Sequence, residues 1–413
     1  MDILVYADWT GLKSPTLIGT LSATHTKGRE VFSFAYERSW LESGLAQAID
    51  SDLQLYTGPQ YLSNNKKNFG TFLDSSPDRW GRVLMDRREA LLAKKENRKR
   101  QNLFEEDYLL GVFDAHRMGA IRFKVEKEGA FLNDNKGLAA PPWTTLRELE
   151  HASLRLEEGV LKDEESLKWI NMLIAPGASL GGARPKASVV DEKNHLWIAK
   201  FPSINDKTDV GAWEMVAHQL AHQSSIKTSE AKVQRFNSIH HSFLSKRFDR
   251  QEDERVHFAS AMTLLGYSDG AEGVSYLELA EFIMQQGAQV NADLEELWRR
   301  IVFNIAIKNT DDHLRNHGFI LTPLGWTLSP AYDVNPVYFG KGLTLNISET
   351  DNSLDFELAL SVAKFFRVPT KRANEILLQI KKTIENWREL AIAYKIPREE
   401  QELMESAFTE AFV

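Results

Sequence analysis

Apolar residues recur at three- and four-residue steps over 256–265, 276–286, 293–308, 356–366 and 370–412. That spacing lines them along one face of a helix and predicts a mostly helical carboxy-terminal part. The first 150 residues have a different texture. Short apolar runs, among them Ile3-Leu4-Val5-Tyr6 and Glu30-Val31-Phe32-Ser33-Phe34, predict strands interspersed with helical stretches. The pattern breaks at Ala139-Ala140-Pro141-Pro142-Trp143, which reads as a linker, and helical spacing returns over 144–159. Residues from about 160 to 253 hold a Gly-rich segment, strand-like runs and one helix. Phe365-Phe366, and Trp40 with Leu41, read as core. No repeat or low-complexity segment interrupts the chain.

Bulk properties narrow the classes. At 413 residues the chain is long for one core, so two or three packed units are expected. Its 43% hydrophobic and 26% charged residues are ordinary for a soluble globular protein. A net charge of -8 argues against unaided, non-specific binding of nucleic acid, which needs a basic surface. With no cysteine, disulfide frameworks and thiolate metal sites are excluded. The opening Met1-Asp2-Ile3-Leu4-Val5-Tyr6 lacks the marks of a signal peptide, and no apolar run has the length of a membrane span. The expectation is a soluble cytoplasmic protein without a membrane partner.

The chemistry concentrates between Asn309 and Asp333. Asp311 lies five residues before Asn316. Then Gly318-Phe319-Ile320-Leu321 and Trp326-Thr327-Leu328 read as strands joined by a turn at Pro323-Leu324-Gly325, and Asp333 follows. Such a hairpin swings Asp333 back beside Asn316. Phosphoryl transfer by kinases uses these groups in this order: a carboxylate for the acceptor hydroxyl, then an amide oxygen and a second carboxylate for metal ions. Upstream, Ala178-Ser179-Leu180-Gly181-Gly182-Ala183-Arg184-Pro185-Lys186 sets two glycines among small residues, which lets backbone amides approach phosphate oxygens or simply makes a turn. The strand Leu196-Trp197-Ile198-Ala199-Lys200 ends on a lysine that would meet nucleotide phosphates, with Glu214 on the next helix as its pairing carboxylate; the alternative is an edge lysine in solvent. Phe243 to Arg250, containing Lys246 and Phe248, falls where a hinge would offer backbone groups to an adenine edge, or is a plain strand end.

These motifs resemble the HipA family of toxin–antitoxin serine/threonine kinases. The matching residues are Ser179-Leu-Gly-Gly-Ala-Arg-Pro-Lys186, Ile198-Ala-Lys200-Phe-Pro, Lys246-Arg-Phe-Asp-Arg250, Asn309-Thr-Asp311-Asp-His-Leu-Arg-Asn316 and Pro330-Ala-Tyr-Asp333. Asp74-Ser-Ser-Pro-Asp-Arg-Trp-Gly-Arg82 and the stretch from Leu109 to Ala120 are similar to the family's amino-terminal subdomain. The resemblance implies an α+β, bilobal protein-kinase-like fold. Its parts would be an accessory subdomain over 1–150, a small lobe over 151–253 with phosphate loop and hinge, and a helical lobe over 254–413. It implies ATP with Mg2+, a protein Ser or Thr as acceptor, a translation factor such as an aminoacyl-tRNA synthetase as one target class, and a HipB-like helix-turn-helix antitoxin as operon partner. DNA would be contacted only through that antitoxin. Residue by residue, Asp311 would be the base, Asn316 and Asp333 the metal ligands and Lys200 the phosphate-binding lysine. Ser179, Gly181, Gly182, Ala183 and Lys186 would form the phosphate loop, with Ser179 the autophosphorylated serine whose modification switches the enzyme off.

Some features pull the other way. Asp312 follows Asp311 where the family often has a small residue, so either acid is open as the base; the five-residue step to Asn316 favours Asp311. Pro185 removes a backbone donor from the phosphate loop. His313 and His317 lie four apart, a zinc-like spacing, but no glutamate follows His313 directly, and structural histidines are the simpler reading. The basic tract from Arg87 to Arg100 reads as the solvated end of a helix or as a contact for phosphate backbone or antitoxin. A small-molecule phosphotransferase and a catalytically silent corepressor on its antitoxin stand as rival functions.

Overall fold

The computed structural model describes residues 1–26, 28–62, 66–159, 164–174, 184–252 and 254–409. The chain forms two compact units, one of Met1–Asn205 with Lys246–Ser268, the other of Asp206–Ser245 with Asp269–Val413.

The first unit is built on a five-stranded antiparallel sheet. Asp2–Ala7 pairs with Thr16–Thr26 on one side and Ile121–Lys124 on the other, and Arg29–Tyr36 and Pro59–Tyr61 extend it. Alternation does the sorting: Ile3, Val5 and Ala7 are buried while their neighbours are more exposed. Phe34, Phe69, Phe72 and Phe123 meet over the sheet at ring separations of 5.6 to 6.5 Å. Asp78 caps the helix Arg79–Lys95 by accepting from the Gly81 N–H. The basic tract closes that helix. Arg98 holds Glu89 with both terminal nitrogens, at 2.6 and 2.9 Å, and Glu96 with Nε, while Arg87 donates to the Leu156 carbonyl. The charge of Arg98 is therefore met by acids of the same unit. The linker around Pro142 is a pair of short 3-10 turns leading into the helix Leu146–Glu157.

Residues 256–265 depart from the predicted helix. Phe258–Ser260 is a fully buried strand, and only Ala261–Leu264 is helical. Ser260 explains the switch, because Asp74 takes both its N–H (2.7 Å) and its hydroxyl (2.9 Å), fixing it as an extended cap residue. His257 just before is buried and stacked on Trp9 at 5.0 Å, and burial pushes its pKa down to about 3. A histidine kept neutral in the fold but charged when unfolded costs stability as pH falls below its unfolded value of about 6.5. Replacing His257 with Phe, which keeps the stack, is therefore expected to flatten the fall in Tm between pH 7 and pH 5 relative to the native chain. Parallel slopes in the two melting series would exclude His257 as its source.

The second unit is mostly helical, as its spacing predicts. Tyr276–Gln286 begins with a capping box between Ser275 and Glu278. Val290–Ala306 is its central helix, buried almost throughout from Leu294 onward. The long periodic tail breaks into three helices, Thr370–Ile384, Trp387–Ala393 and Arg398–Thr409. Lys395 in the left-handed region (φ 58°) and Pro397 end the second of these before the third begins. Trp387 and Phe408 stack at 4.8 Å, with Trp213 alongside at 5.9 Å from Phe408. Phe366 is core, but Phe365 is 48% exposed, because the 3-10 turn Ala363–Phe366 aims adjacent side chains apart. Among the described residues no helix is long and apolar enough to cross a membrane.

Candidate active site

In the second unit, the helix Val290–Ala306 delivers the chain to the site. It closes through Lys308, buried and held at φ 50°, a left-handed conformation that non-glycine residues adopt at a cost. Lys308 Nζ donates to the Tyr338 carbonyl, and the Val337 N–H to the Lys308 carbonyl. The turn that follows carries Asp311, Asp312 and Asn316. The hairpin then forms as the apolar runs predict: Gly318–Thr322 pairs with Gly325–Leu328, Phe319 facing Leu328 and Thr322 facing Gly325. Gly325 sits at φ 125°, which a side chain would strain. Three ties bring the next segment back. Arg300 donates to the Ser329 carbonyl at 2.7 Å, the Ala331 N–H to the Lys227 carbonyl at 2.7 Å, and the Tyr332 hydroxyl to the Arg315 carbonyl at 2.7 Å. Asp333 emerges beside the Asp311 turn, itself at φ 57°.

The two adjacent acids have different surroundings. Asp312 is 4% exposed, and its Oδ2 accepts from the Tyr276 hydroxyl (2.5 Å), His317 Nε2 (2.7 Å) and Asn304 Nδ2 (2.8 Å). Burial works to raise its pKa, but His317 and these donors hold it below the usual carboxylate range. Asp311 is exposed, and its carboxylate accepts no hydrogen bond from the described residues. Partial withdrawal from water raises its pKa, with Asp333 and Asp312 adding to the shift and His313 opposing it. Of the two histidines, His317 is the structural one; no zinc-like group includes either of them among the described residues.

Asn316 is oriented by its own turn. Its Nδ2 donates to the Asp311 carbonyl at 3.0 Å, which leaves Oδ1 pointing the other way, buried and without a hydrogen-bond partner. A buried amide oxygen without a donor is costly. The orphaned oxygen belongs to the turn that carries Asp311, and Asp333 approaches that turn; such hard oxygen donors suit magnesium. The residues fit a divalent cation, with Asn316 and Asp333 as the groups that would hold it.

The first unit holds the two lysines. Lys186–Val190 and Leu196–Lys200 pair antiparallel with Lys186 directly opposite Lys200, so both side chains leave the same face. Lys186 is buried and its Nζ bonds Asp78 Oδ2 at 2.6 Å, so the ammonium expected to close a phosphate loop is already matched by an acid. Lys200 is half-buried. Ser179, Gly181, Gly182 and Ala183 lie outside the described residues. Glu214 is buried on Val210–Gln223 in the second unit. Lys246 and Phe248 are half-buried, and Phe248 packs on Phe258 at 5.8 Å. Between them Arg247 is fully buried; with Arg250 it grips Asp249, which also accepts the Gly119 N–H. Burial works to raise the Asp249 pKa, but the two arginines hold it well below the carboxylate range. The Lys246–Arg250 motif is thus in large part an anchor to residues 115–119.

Tyr276 and Asn304 support these groups and escape a reading by motif, and Asp78, though inside the Asp74–Arg82 motif, has no role legible there. Of Tyr276 and Asn304, Asn304 leaves a trace in the sequence, as an amide within the apolar run Ile301-Val302-Phe303-Asn304-Ile305-Ala306-Ile307.

Residues 178–387 match the family model of the HipA-like C-terminal domain. The fold is similar to HipA of Shewanella oneidensis, solved with HipB and its operator DNA, at a TM-score of 0.65 and 19% identity over 99% of this chain and 95% of that one. A protein of Haemophilus influenzae named as a candidate kinase is 27% identical over 180 residues; the match takes in 38% of this chain and about half (52%) of that relative's length. The kinase CtkA of Helicobacter pylori is similar at a TM-score of 0.38 and 15% identity, over 55% of this chain and 94% of that one. The solved HipA shows the fold, which mixes helix and sheet. With the matched domain spanning just over half of its residues, the chain belongs to the HipA family.

Proposed function

We propose that the chain is an ATP-dependent protein serine/threonine kinase, the cytoplasmic toxin of a toxin–antitoxin pair, with Asp311 as the group that takes the acceptor's proton. One observation carries the reading: an exposed, unengaged Asp311 carboxylate on the turn that also carries the orphaned Asn316 Oδ1, with Asp333 near it, while Asp312 is committed to the interior. The acceptor hydroxyl oxygen attacks the γ-phosphorus, the bond to the β–γ bridging oxygen breaks, and ADP leaves with that electron pair. Asp311 orients the hydroxyl and accepts its proton, then releases it to solvent. Magnesium, when bound, offsets negative charge on the phosphates. Asn316 and Asp333 would hold it. Lys200 would pair with nucleotide phosphates, and the backbone around Lys246 and Phe248 would face the adenine. Lys186, already paired with Asp78, would support the phosphate loop from its base.

The likeness to a HipA solved with HipB and operator DNA supports a HipB-like antitoxin as partner, through which DNA would be reached. The test is incubation with labelled ATP and magnesium, with mass spectrometry of this chain and of lysate proteins. Label on lysate proteins is the expected outcome; label only on small molecules would make the chain a small-molecule phosphotransferase, and none at all a silent corepressor. Self-modification is expected at Ser179. A phosphate there adds roughly -1.5 to -2 charge near the nucleotide's own phosphates and would weaken ATP binding. Prolonged incubation that leaves Ser179 unmodified would remove it as a switch.

A further inference from the structure

Beneath the turn that carries Asp311 and Asn316 runs a chain of side-chain amides. Asn304 is buried on the central helix, and its two ends meet different groups. Nδ2 donates to Asp312 Oδ2 at 2.8 Å, while Oδ1 accepts from Asn309 Nδ2 at 3.1 Å. Asn309 Oδ1 accepts the backbone N–H of Asn335 at 3.3 Å, and Asn335 Nδ2 donates to Asp333 Oδ1 at 3.3 Å. At the far end, Asp312 Oδ2 holds His317, the residue after Asn316. One connected path thus links Asp333 to the neighbour of Asn316, with Asn304 at its centre.

From the Asn335 N–H through Asn309 and Asn304, each donor points towards the Asp312 carboxylate. A charged acceptor at the end of such a run strengthens each bond along it. The direction also fixes Asn304: turned over, its oxygen would face a carboxylate and its nitrogen another amide nitrogen. Asn304, Asp312, Asn316 and His317 share the wall of one small cavity of about 10 Å3.

We propose that Asn304 is a positioning residue that sets Asn316 and Asp333 relative to each other, so that both oxygens meet one divalent cation. The proposal rests on the reading of those two residues as metal ligands. Groups that orient metal ligands typically contribute 10–100-fold in metal affinity or activity.

Three variants test it: Asn304→Leu, Asn309→Ala, and the exchange Asn304→Asp with Asp312→Asn, compared with Asn304→Asp alone. Each is titrated with Mg2+ at fixed adenylyl imidodiphosphate while Tm is followed, and kcat and the KM for ATP are measured separately. Asn304→Leu should raise the Mg2+ midpoint and lower kcat by roughly 10–100-fold, with KM for ATP little changed. Asn309→Ala, which cuts the chain one link further along, should move the midpoint the same way and serves if the Asn304→Leu chain does not fold. The exchange should recover most of what Asn304→Asp loses, because donor and carboxylate have traded places. A lower Tm with the Mg2+ midpoint unmoved would make Asn304 merely structural and overturn the proposal. So would an exchange variant no better than Asn304→Asp, or a native chain that shows no Mg2+-dependent shift. A native chain that shows the shift but transfers no phosphate would remove the kinase reading and leave the positioning role to be judged on the midpoint alone.

Discussion

Asp311→Asn is expected to lower phosphoryl transfer by roughly 10²–10⁴-fold while leaving Tm nearly unchanged. The carboxylate is exposed and accepts no hydrogen bond from the described residues, so its loss removes chemistry and little packing. Asp312→Asn should do the reverse. That side chain is buried and takes three hydrogen bonds on one oxygen, so the neutral amide weakens a buried network and Tm falls. Single-turnover rates and melting curves of the two variants separate the roles. If Asp311→Asn retains near-native transfer while Asp312→Asn folds normally and is dead, the assignment of the two acids is reversed. The pH profile has a definite sign. Partial withdrawal from water, with Asp333 and Asp312 nearby, raises the Asp311 pKa, so transfer should decline on acidification at a pH above the ordinary carboxylate range.

Asp333→Asn should instead act on binding. Its carboxylate lies beside the Asp311 turn, and on the proposed reading it holds a divalent cation together with Asn316, so removing its charge weakens that hold. Magnesium with ATP stabilises the native chain in proportion to the logarithm of ligand over Kd, about 2.7 kcal/mol at a hundredfold excess. Most of that gain should vanish in the variant, while Tm without ligand stays close to native because Asp333 is only half-buried. An undiminished ATP–magnesium shift would take Asp333 out of the metal site. Asn316→Ala is the companion measurement. It should lose the same shift while ligand-free Tm stays close to native, since removing a buried oxygen that has no partner offsets the lost bond to the Asp311 carbonyl.

Local order decided what could be read along the chain. The helices of the second unit and the Gly318–Leu328 hairpin follow from three- and four-residue spacing, apolar alternation and a glycine at the turn, all of which act between near neighbours. The order of Asp311, Asn316 and Asp333 was legible for the same reason, because a hairpin of that length must return the chain close to where it left. Where a distant residue intervenes, pattern fails. Asp74 makes an extended cap of Ser260 where the apolar spacing alone predicts helix, and Asp78 claims Lys186 from more than a hundred positions away. The difference between Asp311 and Asp312 is likewise tertiary. Two adjacent aspartates are equivalent as letters, and only the approach of Tyr276, Asn304 and His317 buries one and leaves the other in water. The sequence by itself determined which groups are present and in what order. Burial and hydrogen-bond partners, which depend on residues brought together from far apart, determined which of those groups remain free to react.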